Sequence, residues 1–365
     1  MASSHMRIEA PAAVALASPT ERAALSRLGW VDVAKGVGII LVVAGHSLDG
    51  IISAGMTGAT GVLAAAQYWI YTFHMPLFFL LAGLFIYRRV RDDTSRFLKT
   101  TATRILWPYL LWSLIQGLIV MMAAPYVNHP PQAGDSILPM LLWGPAAQFW
   151  FLYALLLMHL MSCLIVPALG PRALFGLAIA FFFVPVAVPL PRVFALACHF
   201  FPFYAAGVWL GWSNLSLSKV PAALRRPWTW IGAGAAWMLC AGLAYAHGDG
   251  YWSVATYPAA VFGTIAVLSI ATTPAVATNR FLAFVGARSM SIFLLHVIFV
   301  AGVRVALEWH AGITSAALLL PVLVAAGIVG PLAVTAIANR LGIAALLGLD
   351  VHPPQRLAVA GHDRP

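Results

Sequence analysis

Apolar stretches of roughly 20 residues, the length a helix needs to cross a bilayer, recur along nearly the whole chain. Ten can be drawn, at 30–51, 67–87, 104–124, 146–166, 173–190, 194–212, 228–247, 252–271, 282–303 and 314–337. Backbone polar groups inside hydrocarbon must be satisfied internally, and segments of this length do so as helices. The composition agrees. Of 365 residues, 62% are hydrophobic and 9% are charged, against about 25% charged in a soluble domain. The sequence therefore predicts an all-α polytopic membrane bundle of about ten transmembrane helices.

Lysine and arginine set the expected orientation. With an N-in, C-in topology, 19 of the 21 basic residues fall at the cytoplasmic ends of the spans and in the tails. Only Arg192 and Arg304 remain for the outside. The positive-inside bias explains the net charge of +10, with no need of nucleic acid. Residues 1–29 read as a cytoplasmic N-terminal tail, of which Met1 to Met6 looks like an expression scar. No cleavable signal peptide is expected. Residues 30–340 form the membrane domain and 341–365 a cytoplasmic C-terminal tail. Cys163, Cys198 and Cys240 all lie in apolar segments and read as free thiols rather than a disulfide framework or metal site.

Against this apolar background the ionisable residues stand out. At 1.5 Å per residue, His46 lies about 24 Å beyond Trp30 along the first helix, in the outer half of the membrane. His74, His199 and His296 fall in the same half on three further helices, Gln148 and Trp150 lie near its outer limit, and His159 is close to the midplane. An ionisable group in hydrocarbon points to function by default. A single histidine can also hydrogen-bond a neighbouring helix and hold it there, which is the reading for His159 and His199. Asp32 and Lys35 lie three apart on one helix face and can pair. Arg88, Arg89 and Arg104 flank a short cytoplasmic loop, where forked donors suit a phosphate.

Several stretches resemble a known family. They are Trp30-Val31-Asp32-Val33-Ala34-Lys35-Gly36, Val42-Val43-Ala44-Gly45-His46-Ser47, Phe73-His74-Met75-Pro76-Leu77-Phe78-Phe79, Arg104-Ile105-Leu106-Trp107-Pro108-Tyr109, Phe149-Trp150-Phe151-Leu152-Tyr153, Phe200-Phe201-Pro202-Phe203-Tyr204 and Ser289-Met290-Ser291-Ile292-Phe293-Leu294-Leu295-His296. In this order they resemble the acyltransferase-3 family of integral membrane acyltransferases, in its fucose-4-O-acetylase-like and exopolysaccharide acetyltransferase branch. The resemblance implies a ten-helix enzyme of a bacterial inner membrane. It would take acetyl-CoA from the cytoplasm as cosubstrate, with a glycan or lipid-linked oligosaccharide as acceptor. It also implies His46 as the leading catalytic residue, with His74 beside it. Asp32, Trp150, Tyr153 and His296 are expected to bind substrate, and Lys35, Arg88, Arg89 and Arg104 to bind the coenzyme.

Acyl transfer to a hydroxyl needs a base and a stabilised oxyanion, and histidine supplies the base near neutral pH. A thioester is already activated, so no metal is expected, and neither HxxxH nor HExxH spacing occurs. No serine nucleophile elbow is present. Asp49 reads as an interface aspartate rather than an orienter of His46. Because the basic residues gather at one face and the histidines lie toward the other, a passage through the bundle is expected to join them. The alternative function is a transporter of a small molecule that uses the histidines as a proton relay; a structural membrane subunit fits the buried histidines poorly.

Overall fold

The computed structural model describes residues 19–124, 141, 142, 144, 145, 147–213 and 222–349, the side chains of 19–28 and 222 excepted. Helix α1 is Pro19–Ser53 and α2 is Gly61–Gly83. Two short helices, α3 (Ile86–Asp92) and α4 (Thr94–Thr101), lead through a π-helical turn, Ala102–Leu106, into α5 (Trp107–Met122). Then come α6 (Trp150–Ala187), α7 (Arg192–Trp212), α8 (Pro227–His247) and α9 (Tyr257–Thr272). The short α10 (Pro274–Ala277) and α11 (Arg280–Ala287) precede α12 (Ser289–Ala311) and α13 (Ala316–Arg340). Most of the connection between the spans drawn at 104–124 and 146–166 lies outside the described residues, as does everything from Asp350.

Among the described residues nine helical segments are long and apolar enough to cross a membrane. One of them, Ala147–Ala187, has 41 residues, about twice what one crossing needs. It breaks at Gly170, whose φ of 82° lies in the left-handed region that glycine adopts without steric cost. The break is a reversal. Before it, Tyr153 packs on Phe194 and Ser162 on Tyr204, so the first leg runs parallel to α7. After it, Phe175 packs on Trp209 and Phe182 on His199, so the second leg runs antiparallel. Residues 150–169 and 171–187 are therefore two crossings, which brings the number among the described residues to ten.

The crossings alternate in direction, so one end of the bundle gathers Lys35, Arg88 to Arg104, Arg172, Arg225, Arg226, Arg280 and Arg288. That end is the basic face; the other is the far face. Residues 341–349 fold back onto the basic face, where the indoles of Trp107 and Trp112 donate to the carbonyls of Leu346 and Leu347 at 2.7 and 2.8 Å.

One predicted span needs correction. The stretch 282–303 is not one helix. It splits into α11, packed along the start of α1, and α12, which begins at Ser289. His296 is thus only two turns into its helix, yet level with the later part of α1, because α11 already occupies the basic end beside it.

In lipid the helices gain little from apolar burial against each other, and close packing and interhelical hydrogen bonds matter more. Several such bonds tie the bundle. Trp237 donates to Thr72 at 3.1 Å, Trp252 to the Tyr71 carbonyl at 3.0 Å, and Gln116 and Gln148 pair side by side.

Candidate active site

His46 occupies the far half of α1. The residue before it is Gly45, and a Cβ there would collide with the ring of Tyr71 on α2. Glycine at 45 therefore lets Tyr71 lie against α1, its ring 6.0 Å from that of His46. One turn along, the His74 ring is 5.1 Å from Tyr71. From α12 comes His296, fully buried, its ring 5.1 Å from His46. Three of the four far-half histidines thus converge. The fourth, His199, packs instead among Phe182, Phe200 and Tyr257.

The hydrogen bonds fix two of the imidazoles. His74 Nδ1 donates to the Ile70 carbonyl at 2.8 Å. His296 Nδ1 donates to the Phe293 carbonyl at 2.8 Å and lies 3.1 Å from that of Ile292. A carbonyl only accepts, so Nδ1 carries the proton in each ring. The lone pair is then on Nε2, and in His296 this buried atom has no partner. Such an orphaned acceptor is uncommon and calls for a reason.

His46 lines a cavity of about 900 Å³. Tyr71, Trp150, Tyr251 and Trp252 form an aromatic wall of it, with Trp150 and Trp252 ring centres 5.1 Å apart. Asp49, Gln116, Arg192 and Arg304 add the polar groups. Asp49 accepts from Gln67 Nε2 at 2.8 Å, so this carboxylate is held by an amide rather than by the imidazole. Arg304 donates to Glu308 at 2.8 Å. Burial raises the pKa of the Tyr251 phenol; Arg192 acts against this and Asp49 with it. The cavity lies toward the far face, with Gly144, Pro145 and Arg192 at that end.

Other expected site residues are placed elsewhere. Tyr153 packs between Tyr109 and Phe194, at 5.7 and 6.1 Å, outside the cavity lining. Asp32 and Lys35 pair at 3.3 Å on the basic face. There a second cavity, of about 420 Å³, is lined by Tyr87, Arg88, Arg91, Asp92 and Trp212. Arg89 and Arg104 lie exposed at the same end of the bundle. Arg104 sits in the π-helical turn, where the Trp107 N–H reaches back five residues to the Ala102 carbonyl. Pro108 follows and has no N–H to offer the Arg104 carbonyl four residues before it, which favours such an irregular turn. The two cavities share no lining residue. His159, deep on the basic side, bonds Thr101 at 3.3 Å and adjoins Tyr204, which suits the helix-holding reading.

The family model of the acyltransferase domain, acyltransferase-3, matches residues 28–340. The chain belongs to the acyltransferase-3 family. No curated protein and no solved structure matches it. This membrane acyltransferase keeps its three converging histidines within the matched region. Among its described residues, no group of three His, Cys, Asp or Glu side chains is placed to hold a metal ion.

Sequence reasoning missed part of this acyltransferase's cavity. Arg192 and Arg304 were visible as the two exceptions to the charge asymmetry, and that was their signal. Tyr251 and Trp252 carried none, because they sit at the start of the span drawn at 252–271, where no periodic pattern marks one side chain over another.

Proposed function

We propose that this acyltransferase moves an acetyl group from acetyl-CoA, supplied at the basic face, to a sugar hydroxyl presented in the far-face cavity. The acceptor is a surface or exported polysaccharide or its lipid-linked precursor, and the setting is a bacterial inner membrane with the basic face toward the cytoplasm. His46 is the general base. It takes the proton of the acceptor hydroxyl as that oxygen bonds to the thioester carbonyl carbon. The tetrahedral intermediate then collapses, the C–S bond breaks, and the proton passes to the departing thiolate. His296 steadies the imidazolium formed on His46 through the lone pair of its unpartnered Nε2. His74 holds Tyr71 in place beside them.

The observation that carries this reading is the position of His46, in the wall of an aromatic cavity and against a second imidazole whose acceptor atom is vacant. Aromatic faces suit the apolar faces of sugar rings, and Asp49 suits their hydroxyls. On the donor side, Arg89 and Arg104 have no carboxylate within ion-pair distance among the described residues. A polyanion such as coenzyme A supplies the missing negative charge. Its phosphates stay at the basic face, since they cannot enter hydrocarbon unpaired, and only the thin pantetheine arm must reach His46. The test is acetyl transfer from labelled acetyl-CoA by the purified chain and its His46→Ala variant. A folded variant with near-normal turnover would remove His46 from the mechanism.

A further inference from the structure

The two basic residues that break the charge asymmetry end up in one place. Arg192 and Arg304 are 112 positions apart in sequence, and both line the His46 cavity. The bias of basic residues toward one face does not explain them, since they lie at the end of the bundle away from the other lysines and arginines whose side chains are described. Arg304 is the more telling. It is 4% exposed, inside a membrane-crossing helix, where a charge is retained only for a reason. Glu308 balances it from the turn that follows.

Arg192 stands at the mouth of the cavity. It has no ion pair within reach among the described residues. It also opens α7, a helix of 21 residues with no side-chain cap. The first free N–H bonded inside this turn is that of Phe194, so the N–H groups of Arg192 and Val193 are left for another acceptor. Val193 itself lines the cavity. Guanidinium and helix start therefore offer donors at one end of the cavity, and their charge and dipole favour an anion there. The opposite polarity lines the same cavity. Asp49, held by Gln67, faces the same space as His46 and suits hydroxyl donors. The cavity thus carries two guanidinium groups and a carboxylate in one lining, beside the aromatic wall.

We propose that the acceptor is an acidic glycan: it carries a carboxylate or phosphate that seats at Arg192, with Arg304 adding its charge from the wall, while the hydroxyl to be acylated points to His46. This rests on the proposed function for the identity of the cavity as the acceptor site. The shared chemistry is a fixed anion near the reacting sugar. Its source is either a uronic acid residue or a sugar phosphate.

The experiment uses the full chain in detergent, with Trp150 and Trp252 as the fluorescent reporters inside the cavity. The probes are methyl glucuronide, glucose 1-phosphate, the neutral methyl glucoside and coenzyme A. The acidic probes should bind roughly tenfold tighter than the glucoside at low salt, as one charge-assisted hydrogen bond provides. Arg192→Gln should erase that preference, and Arg192→Glu should reverse it. A preference for the glucuronide assigns the anion to a uronic acid, and one for the phosphate assigns it to a sugar phosphate. Equal binding of acidic and neutral probes, failure of every sugar probe to bind, or a preference that survives Arg192→Gln overturns the proposal. So does a loss of coenzyme A affinity in Arg192→Gln as large as that for the acidic sugars, since the anion site would then serve the donor. Turnover of acetyl-CoA by the unaltered chain is measured in parallel. Its absence counts against the proposed function and leaves the comparison of probes intact.

Discussion

The two ends of this bundle treat their polar side chains in opposite ways. At the basic face, arginines and lysines are numerous and mostly exposed, and a few pair with a neighbour, as Lys35 does with Asp32. At the far half, ionisable groups are fewer, and one group of them is gathered around a single cavity, whereas His199, His247, Asp249 and His310 stand outside its lining. His46, Asp49, Arg192 and Arg304 line it, and His74 and His296 stand close behind. Number therefore says little about where chemistry resides. Many charges at a membrane surface cost little, because solvent reaches them. A few placed within the span are costly, and they persist where substrate or a partner compensates them.

The largest effect should come from removing the imidazole that both halves are proposed to serve. His46→Ala should lower acetyl transfer by roughly 10²–10⁴-fold, with helix content by circular dichroism and the gel-filtration profile unchanged. If the same loss followed from any histidine in the bundle, the distinction between cavity and periphery would collapse.

Next comes the basic face. Arg104→Glu should raise the KM for acetyl-CoA by about tenfold or more, the scale of one lost phosphate contact, and disturb the acceptor KM much less. Equal changes in both constants would mean that the two ends do not divide donor from acceptor.

A smaller effect is expected at His296. Replacing it with Gln keeps a buried polar group but moves the Nε2 lone pair. Transfer kcat should fall by about tenfold, near the worth of one hydrogen bond in the transition state, with little change in either KM. A selective rise in KM would instead make His296 a substrate contact.

The smallest effect tests the histidine that shares the depth but not the place. His199 packs among aromatic rings, so His199→Phe should leave kcat within about twofold, since nothing links it to the reacting atoms. A large loss there would show that depth alone, rather than convergence on the cavity, predicts function.

The sequence by itself determined the number of crossings, the charged end and the depth of His46 and His74. The reasons are simple. Bilayer thickness sets the length of every span, and helical rise converts position into depth. Even the double crossing in 146–190 was legible, because no single helix of that length fits the hydrocarbon. The sequence left rotation undecided. These helices are apolar nearly all round, so no hydrophobic stripe marks which side meets lipid and which meets protein. His46 and His199 therefore look alike on paper. Only the packed bundle, with Gly45 admitting Tyr71 and α11 setting the level at which α12 begins, turned one toward His296 and the other toward Phe182. Likewise Arg192 and Arg304 were two scattered exceptions until folding put them in one wall. Contacts between helices distant in sequence depend on the side chains of both partners at once, and no local pattern in either one encodes them.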